Sequence, residues 1–483
     1  MNVESTIVMD ANTAFSVAGF FYLLSASAAV VHVLVNKHNV SAAFSWIGVI
    51  ILSPFFGVLL YWLFGINRIR RRAQAEMRGR ADFAERSGAV DFNEPVAIFT
   101  HLAEPQKLLL QTGLSIHDSP YLEGNQIDAL INGTEAFPAM LAAIDNAVNS
   151  IVLSSYIFEY DVVGKQFVTA LGDAYKRGVS VFVSIDGLGV GYGFSFAKAD
   201  RVLRKLGVPT ARFLPTFSPS GTRFINLRNH RKILSVDGEI AFVGGMNIRA
   251  GNLLDKKSPH QTQDVHFSIR GPAVDQINKV FEDDWLFATG QSVSLPCWQG
   301  SAERGVTCRV LLDGPDDNYQ KLELTIIAAI NSARERISIA TPYFLPDVAV
   351  IRALQLAVLR GVDVRLLIPD KNNLVFVDWA MSANESTILK TGIKLYRGRP
   401  PFDHSKLFVV DNCWSLIGSS NWDARSFELN FEINVECYSN AFAHKLEQIL
   451  QHKFSSAKMV FGSERSLLIG LRNNFCRLFT PYL

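Results

Sequence analysis

The chain lacks a surplus of charge of either sign, has no paired cysteines, and is almost without charge near its start. Its net charge is only +2 over 483 residues. A protein built for duplex nucleic acid gains affinity by neutralising phosphates and is usually far more basic. The balance therefore argues against a nucleic-acid partner. Five cysteines, Cys297, Cys308, Cys413, Cys437 and Cys476, form an odd set with no Cys-x-x-Cys. That argues against a disulfide framework or a thiolate zinc site. The cysteines read instead as small buried hydrophobes in a reducing compartment.

Charge is missing most conspicuously from two early runs. Residues 14–35 carry none except what His32 can hold, and residues 42–64 carry none at all. At about 1.5 Å rise per residue, each run can cross a hydrocarbon core of about 30 Å. The short connector Asn36–Ser41 makes them a transmembrane hairpin with both chain ends on one side. A cleaved signal peptide fits poorly, because no basic residue precedes the first run and the run is too long. Arg68, Arg70, Arg71, Arg72, Arg78 and Arg80 follow the second run, whereas the connector offers only Lys37. The positive-inside rule then puts the large C-terminal part in the cytoplasm. Residues 1–65 read as the hairpin and 66–115 as a basic juxtamembrane connector.

Beyond residue 120, helical stretches alternate with short apolar strands. Thr134–Asn149 leads into Ile151–Leu153, and Gly164–Arg177 into Val179–Ile185. Leu322–Arg334 and Val348–Arg360 lead likewise into Ile337–Ala340 and Val362–Ile368. This alternation predicts an α/β fold whose sheet is mixed, largely parallel, and lies between helices. Arg177-Gly178-Val179 recurs as Arg360-Gly361-Val362, so the pattern is a duplication of two domains, 116–295 and 306–483. The punctuated stretch 292–305 links them.

The duplication carries chemistry. Asn229-His230-Arg231-Lys232 runs on to Asp237 and then Gly244-Gly245-Met246-Asn247. Asp403-His404-Ser405-Lys406 runs on to Asp411 and then Gly418-Ser419-Ser420-Asn421. Each matched pair is 174 residues apart. On a strand, residues i and i+2 share a face, so His230 projects with Lys232 and His404 with Lys406. An imidazole can attack phosphorus or protonate a leaving oxygen. An ammonium neutralises the non-bridging oxygens. Asn247 and Asn421 can add neutral donors, and small Gly245 and Ser419 leave room for a phosphate. Asp237 and Asp411 complete each motif and read more naturally as anchors of strand ends than as groups acting on substrate. Two half-sites imply divided labour, one histidine attacking and the other serving as acid and base. No metal or other cofactor is required, and His260 and His266 have no ligand cluster around them. Tyr156 and Tyr343 sit at strand ends near the expected cleft and read as core or rim packing; Phe213, Phe217 and Phe224 read as core aromatics, with the lining of a lipid entrance as the alternative.

At these residues the chain resembles the phospholipase D superfamily, and within it the bacterial cardiolipin synthases. Asn421-Trp422-Asp423-Ala424-Arg425-Ser426 onward to Glu432, Gly271-Pro272-Ala273-Val274 and the C-terminal Arg477–Leu483 carry the likeness further. The resemblance implies two phospholipase D-like domains related by a pseudo-twofold axis across one cleft. It implies phosphatidyl transfer between two phosphatidylglycerol molecules, giving cardiolipin and glycerol through a phosphohistidine. Phosphatidylethanolamine is an alternative partner lipid, and a hydrolytic phospholipase D or a membrane-tethered nuclease are the alternative activities. The implied location is the bacterial inner membrane. His230 takes the nucleophile's place and His404 the acid's. Asp264 and Glu432 take the places of carboxylates that orient the opposite histidine. The family pattern has Trp-Arg before the first of these, where this chain has Thr262-Gln263, which puts headgroup preference in question. The residues do not set an oligomeric state.

Overall fold

The structure is a computed structural model that describes residues 11–37, 40–53, 55–62, 104–191, 197–214, 227–254, 260–300, 305–315, 318–462 and 466–480. The arginine cluster, most of the expected connector, Phe217 and Phe224 lie outside these residues. The chain divides into two compact units, Met1–Glu76 and Met77–Leu483.

In the first unit, the helix Ala11–Asn36 is followed by the helices Val40–Leu52 and Phe56–Leu60. Ala26, Val33, Ile50 and Tyr61 form a small core between them. Polar side chains there bond within the unit. Tyr22 Oη donates to Ile50 O at 2.9 Å, and Tyr61 Oη lies 2.8 Å from His32 Nδ1. The second uncharged run departs from expectation, because it is not one continuous helix. It stops at Leu52, and Phe55 adopts a left-handed φ of 63° before the chain resumes at Phe56. Pro54 stands in the sequence at this break; proline has no N–H to donate and disfavours a helical residue before it. Among the described residues, one helix is long and apolar enough to cross a membrane, within Gly19–Asn36. Gly57 is required where it stands, since a Cβ there would meet Val49 O at 2.2 Å.

The second unit is built on one continuous sheet shared by both halves. The strand Leu122–Ile131 pairs with Val265–Arg270 of the first half and with Val306–Asp313 of the second. Val306–Asp313 pairs in turn with Asn430–Tyr438. The halves therefore do not part at 292–305 into separate compact bodies. Helices Asn132–Asp145 and Val162–Lys176 cover one outer wing of the sheet, through Phe137, Ile144, Phe167 and Leu171. Lys321–Ser332, Val348–Leu359 and Val375–Lys390 cover the other wing, through Ile326, Leu354 and Ile388. Ala273–Thr289 and Asn440–Ser456 pack on the central strands. All five cysteines are free thiols.

The expected α/β class holds, but the sheet is not largely parallel. Along the main strand order, parallel pairing is confined to the wings, where Ser180–Asp186 lies between Ser150–Ser155 and Thr210–Phe213, and Asp363–Pro369 between Arg336–Ala340 and Lys394–Gly398. Between the wings the pairing is antiparallel, apart from the two-residue strand Arg228–Asn229 set parallel on the edge of Asn430–Tyr438. The cause is a hairpin in each half, Ile233–Val236 with Ile240–Gly244 and Leu407–Val410 with Trp414–Gly418. Asp237-Gly238 and Asp411-Asn412 all take positive φ to make these reversals. Asp-Gly between apolar runs is a hairpin signal that a helix–strand count overlooks.

The two motif aspartates serve those turns. Asp237 accepts from the backbone N–H groups of Val148, Asn149 and Ser150 at 2.6–2.8 Å. Asp411 accepts from Arg334, Glu335 and Arg336 at 2.7–2.8 Å. Each carboxylate thus ties the hairpin to the start of the neighbouring strand. Hydrogen bonds to a charged group contribute about 1.5–3 kcal/mol, so Asp237→Ala should lower stability to urea unfolding by about that much, with the residual folded fraction keeping its turnover per molecule.

Candidate functional site

Sequence spacing puts each histidine and lysine on a strand, but the structure puts them just before one. His230 and Lys232 lie between the short strand Arg228–Asn229 and Ile233–Val236, and His404 and Lys406 between Phe402–Asp403 and Leu407–Val410. The reason is reciprocal pairing between the halves. Arg228–Asn229 runs parallel with Asn430–Phe431, and His230 N donates to Phe431 O at 2.9 Å. Phe402–Asp403 runs parallel with Thr262–Gln263, and His404 N donates to Gln263 O at 2.7 Å. The lysines fold back so that Lys232 Nζ donates to His230 O at 2.6 Å and Lys406 Nζ to His404 O at 2.7 Å. Histidine and lysine still converge, through this local bond rather than through strand alternation.

The carboxylates cross the same seam. His230 Nδ1 lies 2.9 and 3.0 Å from the two carboxylate oxygens of Glu432. His404 Nδ1 lies 3.0 Å from Asp264 Oδ2. Both carboxylates are fully buried. Each half thus supplies a histidine to one side of the site and the positioning carboxylate to the other.

Burial sets the protonation states. It holds His230 well below the usual histidine range, and the charges of Lys232, Lys406 and Arg425 add to the effect. Burial and Lys406 push His404 down to about 4, while its bond to Asp264 opposes them. Burial, opposed by Lys232, pushes the Glu432 carboxyl up to about 7. It also lowers Lys232 to about 7 and Lys406 to about 8. A neutral imidazole whose Nδ1–H donates to a carboxylate keeps its lone pair on Nε2. The His230–Glu432 contact is therefore a hydrogen bond from a neutral ring rather than a full ion pair, since both partners shift away from charge. Lys406 Nζ sits within 3.0–3.1 Å of both ring nitrogens of His404, an arrangement absent from the His230 side.

Both histidines line one cavity of about 340 Å³ together with Asn247 and Asn421. Asn247 Oδ1 accepts from Ile157 N at 3.1 Å, which leaves its amide N–H groups for the cavity. Gly245 and Ser419 are not in that lining, contrary to their reading as phosphate-approach positions. A Cβ on Gly245 would meet Asp264 Oδ2 at 2.8 Å, and Ser419 Oγ donates to Glu432. Their smallness makes room for the carboxylates instead. Asp237 and Asp411 lie at the far ends of their strands, in the turns, and not in the cavity lining.

Other residues complete the lining. Tyr156 and Tyr343 are cavity walls, with ring centroids 5.2 Å from His230 and 6.3 Å from His404. Arg228, Arg249 and Arg425 add cationic side chains to the lining. The usable signal was closeness to the motifs, Arg228 two residues before His230 and Arg425 four after Asn421. Phe213 is core, stacked on Phe287. Among the described residues, no group of three or more His, Cys, Asp or Glu side chains could hold a metal ion.

The family described as "Cardiolipin synthase, PLD-like domain" matches residues 140–285 and 326–454, and "Phospholipase D-nuclease N-terminal" matches 24–65. Cardiolipin synthase A of Pseudomonas entomophila (strain L48) is 33% identical over 473 residues, covering 96% of this chain and 97% of its own. Cardiolipin synthase of Geobacillus kaustophilus (strain HTA426) is 33% identical over 478 residues, covering 96% and 94%. The crystal structure of phosphatidylserine synthase from Haemophilus influenzae Rd KW20 shares the fold, with a TM-score of 0.63 at 14% identity over 78% of this chain and all of its own.

The lowered histidine values have a thermodynamic consequence. A histidine with a native pKa near 4 and an unfolded value near 6.5 is proton-poor in the folded state. Stability is therefore complete above pH 6.5 and falls as pH drops towards 4. Histidine-selective ¹⁵N NMR at pH 6 should find the rings of His230 and His404 neutral with Nδ1 protonated, and urea midpoints should decline between pH 6.5 and 4.

Proposed function

The chain belongs to the cardiolipin synthase family of phospholipase D-like proteins, and on that premise we propose that it is a phosphatidyltransferase making cardiolipin and glycerol from two phosphatidylglycerol molecules. The observation that carries the reading is the pair of histidines, each held by a carboxylate from the opposite half, on one shared cavity. Each half, 116–295 and 306–483, is one phospholipase D-like domain, and a pseudo-twofold axis relates them. The reciprocal pairings across the seam support that symmetry.

His230 is the nucleophile. Its lone pair on Nε2 attacks phosphorus, and the P–O bond to the first glycerol breaks. His404 gives its proton to that leaving oxygen. The incoming glycerol hydroxyl of the second lipid then returns a proton to His404 as its oxygen attacks phosphorus and the P–N bond breaks. The contact between Asp264 and His404 supports this division of roles, because it favours the ring's charged form against burial and Lys406. A phosphodiester anion between Lys232 and Lys406 favours protonation of His404 further. Lys232, Lys406, Asn247 and Asn421 hold the non-bridging oxygens where negative charge collects. Glu432 and Asp264 are positioning residues, and Asp237 and Asp411 act only through the strands they anchor.

Residues 1–65 anchor the chain as a two-span hairpin in the bacterial inner membrane, with the catalytic domains on the cytoplasmic side. The uncharged runs and the following arginines support this topology. The lipid substrate is then reached at the cytoplasmic leaflet, and nucleic acid is not a partner.

Purified protein given labelled phosphatidylglycerol should release glycerol and form cardiolipin in equal amounts. Phosphatidic acid as the main product would overturn transfer in favour of hydrolysis. His404→Ala should slow turnover by about 10²-fold or more and let a base-stable, acid-labile lipid adduct build up on His230. An adduct on another residue, or near-normal product, would refute the assignment of roles.

A further inference from the structure

The C-terminal helix Leu467–Arg477 is inside out for a helix on a water-facing surface. Its buried residues are Asn473 and Cys476. Its large apolar residues point away from the protein: Leu467 and Leu468 are each 78% exposed, and Leu471, Phe475, Leu478 and Phe479 are also exposed. Leu468, Leu471, Phe475 and Leu478 follow a helical spacing of three and four, so they form one stripe. A soluble surface helix turns such a stripe inward and its asparagine outward.

The stripe leads to the cavity. The helix packs along Val375–Lys390 through Cys476, which joins the core there, with the Arg472 guanidinium 4.1 Å from the Trp379 ring and Arg477 bonded to Asn384. Both contacts join residues 93 apart, so the two helices run parallel and in register. That register sets Leu467–Ile469 beside Leu374–Phe376. Leu374, Val375 and Phe376 are themselves exposed. Leu374 and Val377 line the cavity that holds both histidines. An uncovered apolar face thus runs from the last helix to the lip of the active site. From Ser466 to the C-terminus the chain has two arginines, Arg472 and Arg477, and no Asp or Glu. The segment lies beyond the residues matched by the phospholipase D-like family.

We propose that the helix Leu467–Arg477, with Leu374–Phe376, is an interfacial docking surface that sinks into an anionic bilayer and presents lipid to the cavity. The proposal rests on the lipid-substrate reading above. Continuity with the cavity lip selects a bilayer as the occupant, because the substrate headgroup must travel from the bilayer plane to the histidines. The basic, acid-free charge pattern fits anionic headgroups. Burying several large side chains in the acyl boundary removes from water the apolar patch that the fold leaves uncovered.

The test uses the full chain in phosphatidylglycerol–phosphatidylcholine vesicles. An environment-sensitive fluorophore is placed at Leu471→Cys in a Cys297→Ser background. Cys308, Cys437 and Cys476 are buried, and the Cys413 thiol is pushed up to about 11, so they do not compete for label. Lipids brominated on the acyl chain should quench the label at 471 several-fold more than the same label at Val148→Cys, an exposed position in the first half. Equal quenching at the two positions overturns docking. So does protection at 471 that appears only as protein concentration rises, since it assigns the face to a second copy of the chain. Quenching does not depend on turnover, so a chain that docks but makes no cardiolipin refutes the transferase reading alone. In the second arm, Leu471→Asp with Phe475→Asp should cut transfer from bilayer lipid at least about tenfold and leave transfer from dispersed short-chain lipid unchanged. A Leu468→Ser/Leu471→Ser pair, which adds no charge, should move the same way. Parallel loss on both substrates, or full activity on bilayers, overturns the proposal.

Discussion

Each histidine of the site is held by a carboxylate from the other half of the chain. Glu432 reaches His230, and Asp264 reaches His404. Much else follows from this exchange. It requires the two halves to meet edge to edge, which the strands Leu122–Ile131 and Val306–Asp313 achieve by merging both into one sheet. It requires Gly245 and Ser419 to be small, since the carboxylates occupy the space beside them. It also makes one site from two motifs, because neither histidine is oriented by its own half.

The same exchange accounts for the electrostatics. Two carboxylates, two lysines and two imidazoles share a volume from which water is largely excluded. Desolvation penalises every charge there. Neutral rings and lysines whose pKa values sit near neutrality are the outcome. A phosphodiester supplies the missing negative charge and restores the lysines' preference for the ammonium form. The site is thus complementary to an anion.

The hairpin turns and the final helix show how far local rules extend. Asp237 and Asp411 belong to the motif by spacing, yet they act on the backbone of a neighbouring strand. The last helix obeys helical periodicity, yet turns its apolar stripe outward. In both cases the residue pattern is ordinary and its surroundings decide its use.

The sequence by itself determined the duplication, the α/β class, the identity of His230, Lys232, His404 and Lys406, and the apolar N-terminal runs. Those features rest on spacing and on local side-chain chemistry, which a linear chain displays. It also carries Asp237-Gly238, a hairpin signal, and Pro54 inside the second run. Only the tertiary structure decided that the sheet is mainly antiparallel between its wings and that the motif histidines precede their strands. It alone showed that Arg228, Arg249 and Arg425 wall the cavity and that the outward face of Leu467–Arg477 leads to it. These facts depend on contacts between residues far apart in the chain, such as the roughly two hundred positions between His230 and Glu432. Periodicity cannot register a bond of that span, because it exists only once both halves have folded and docked.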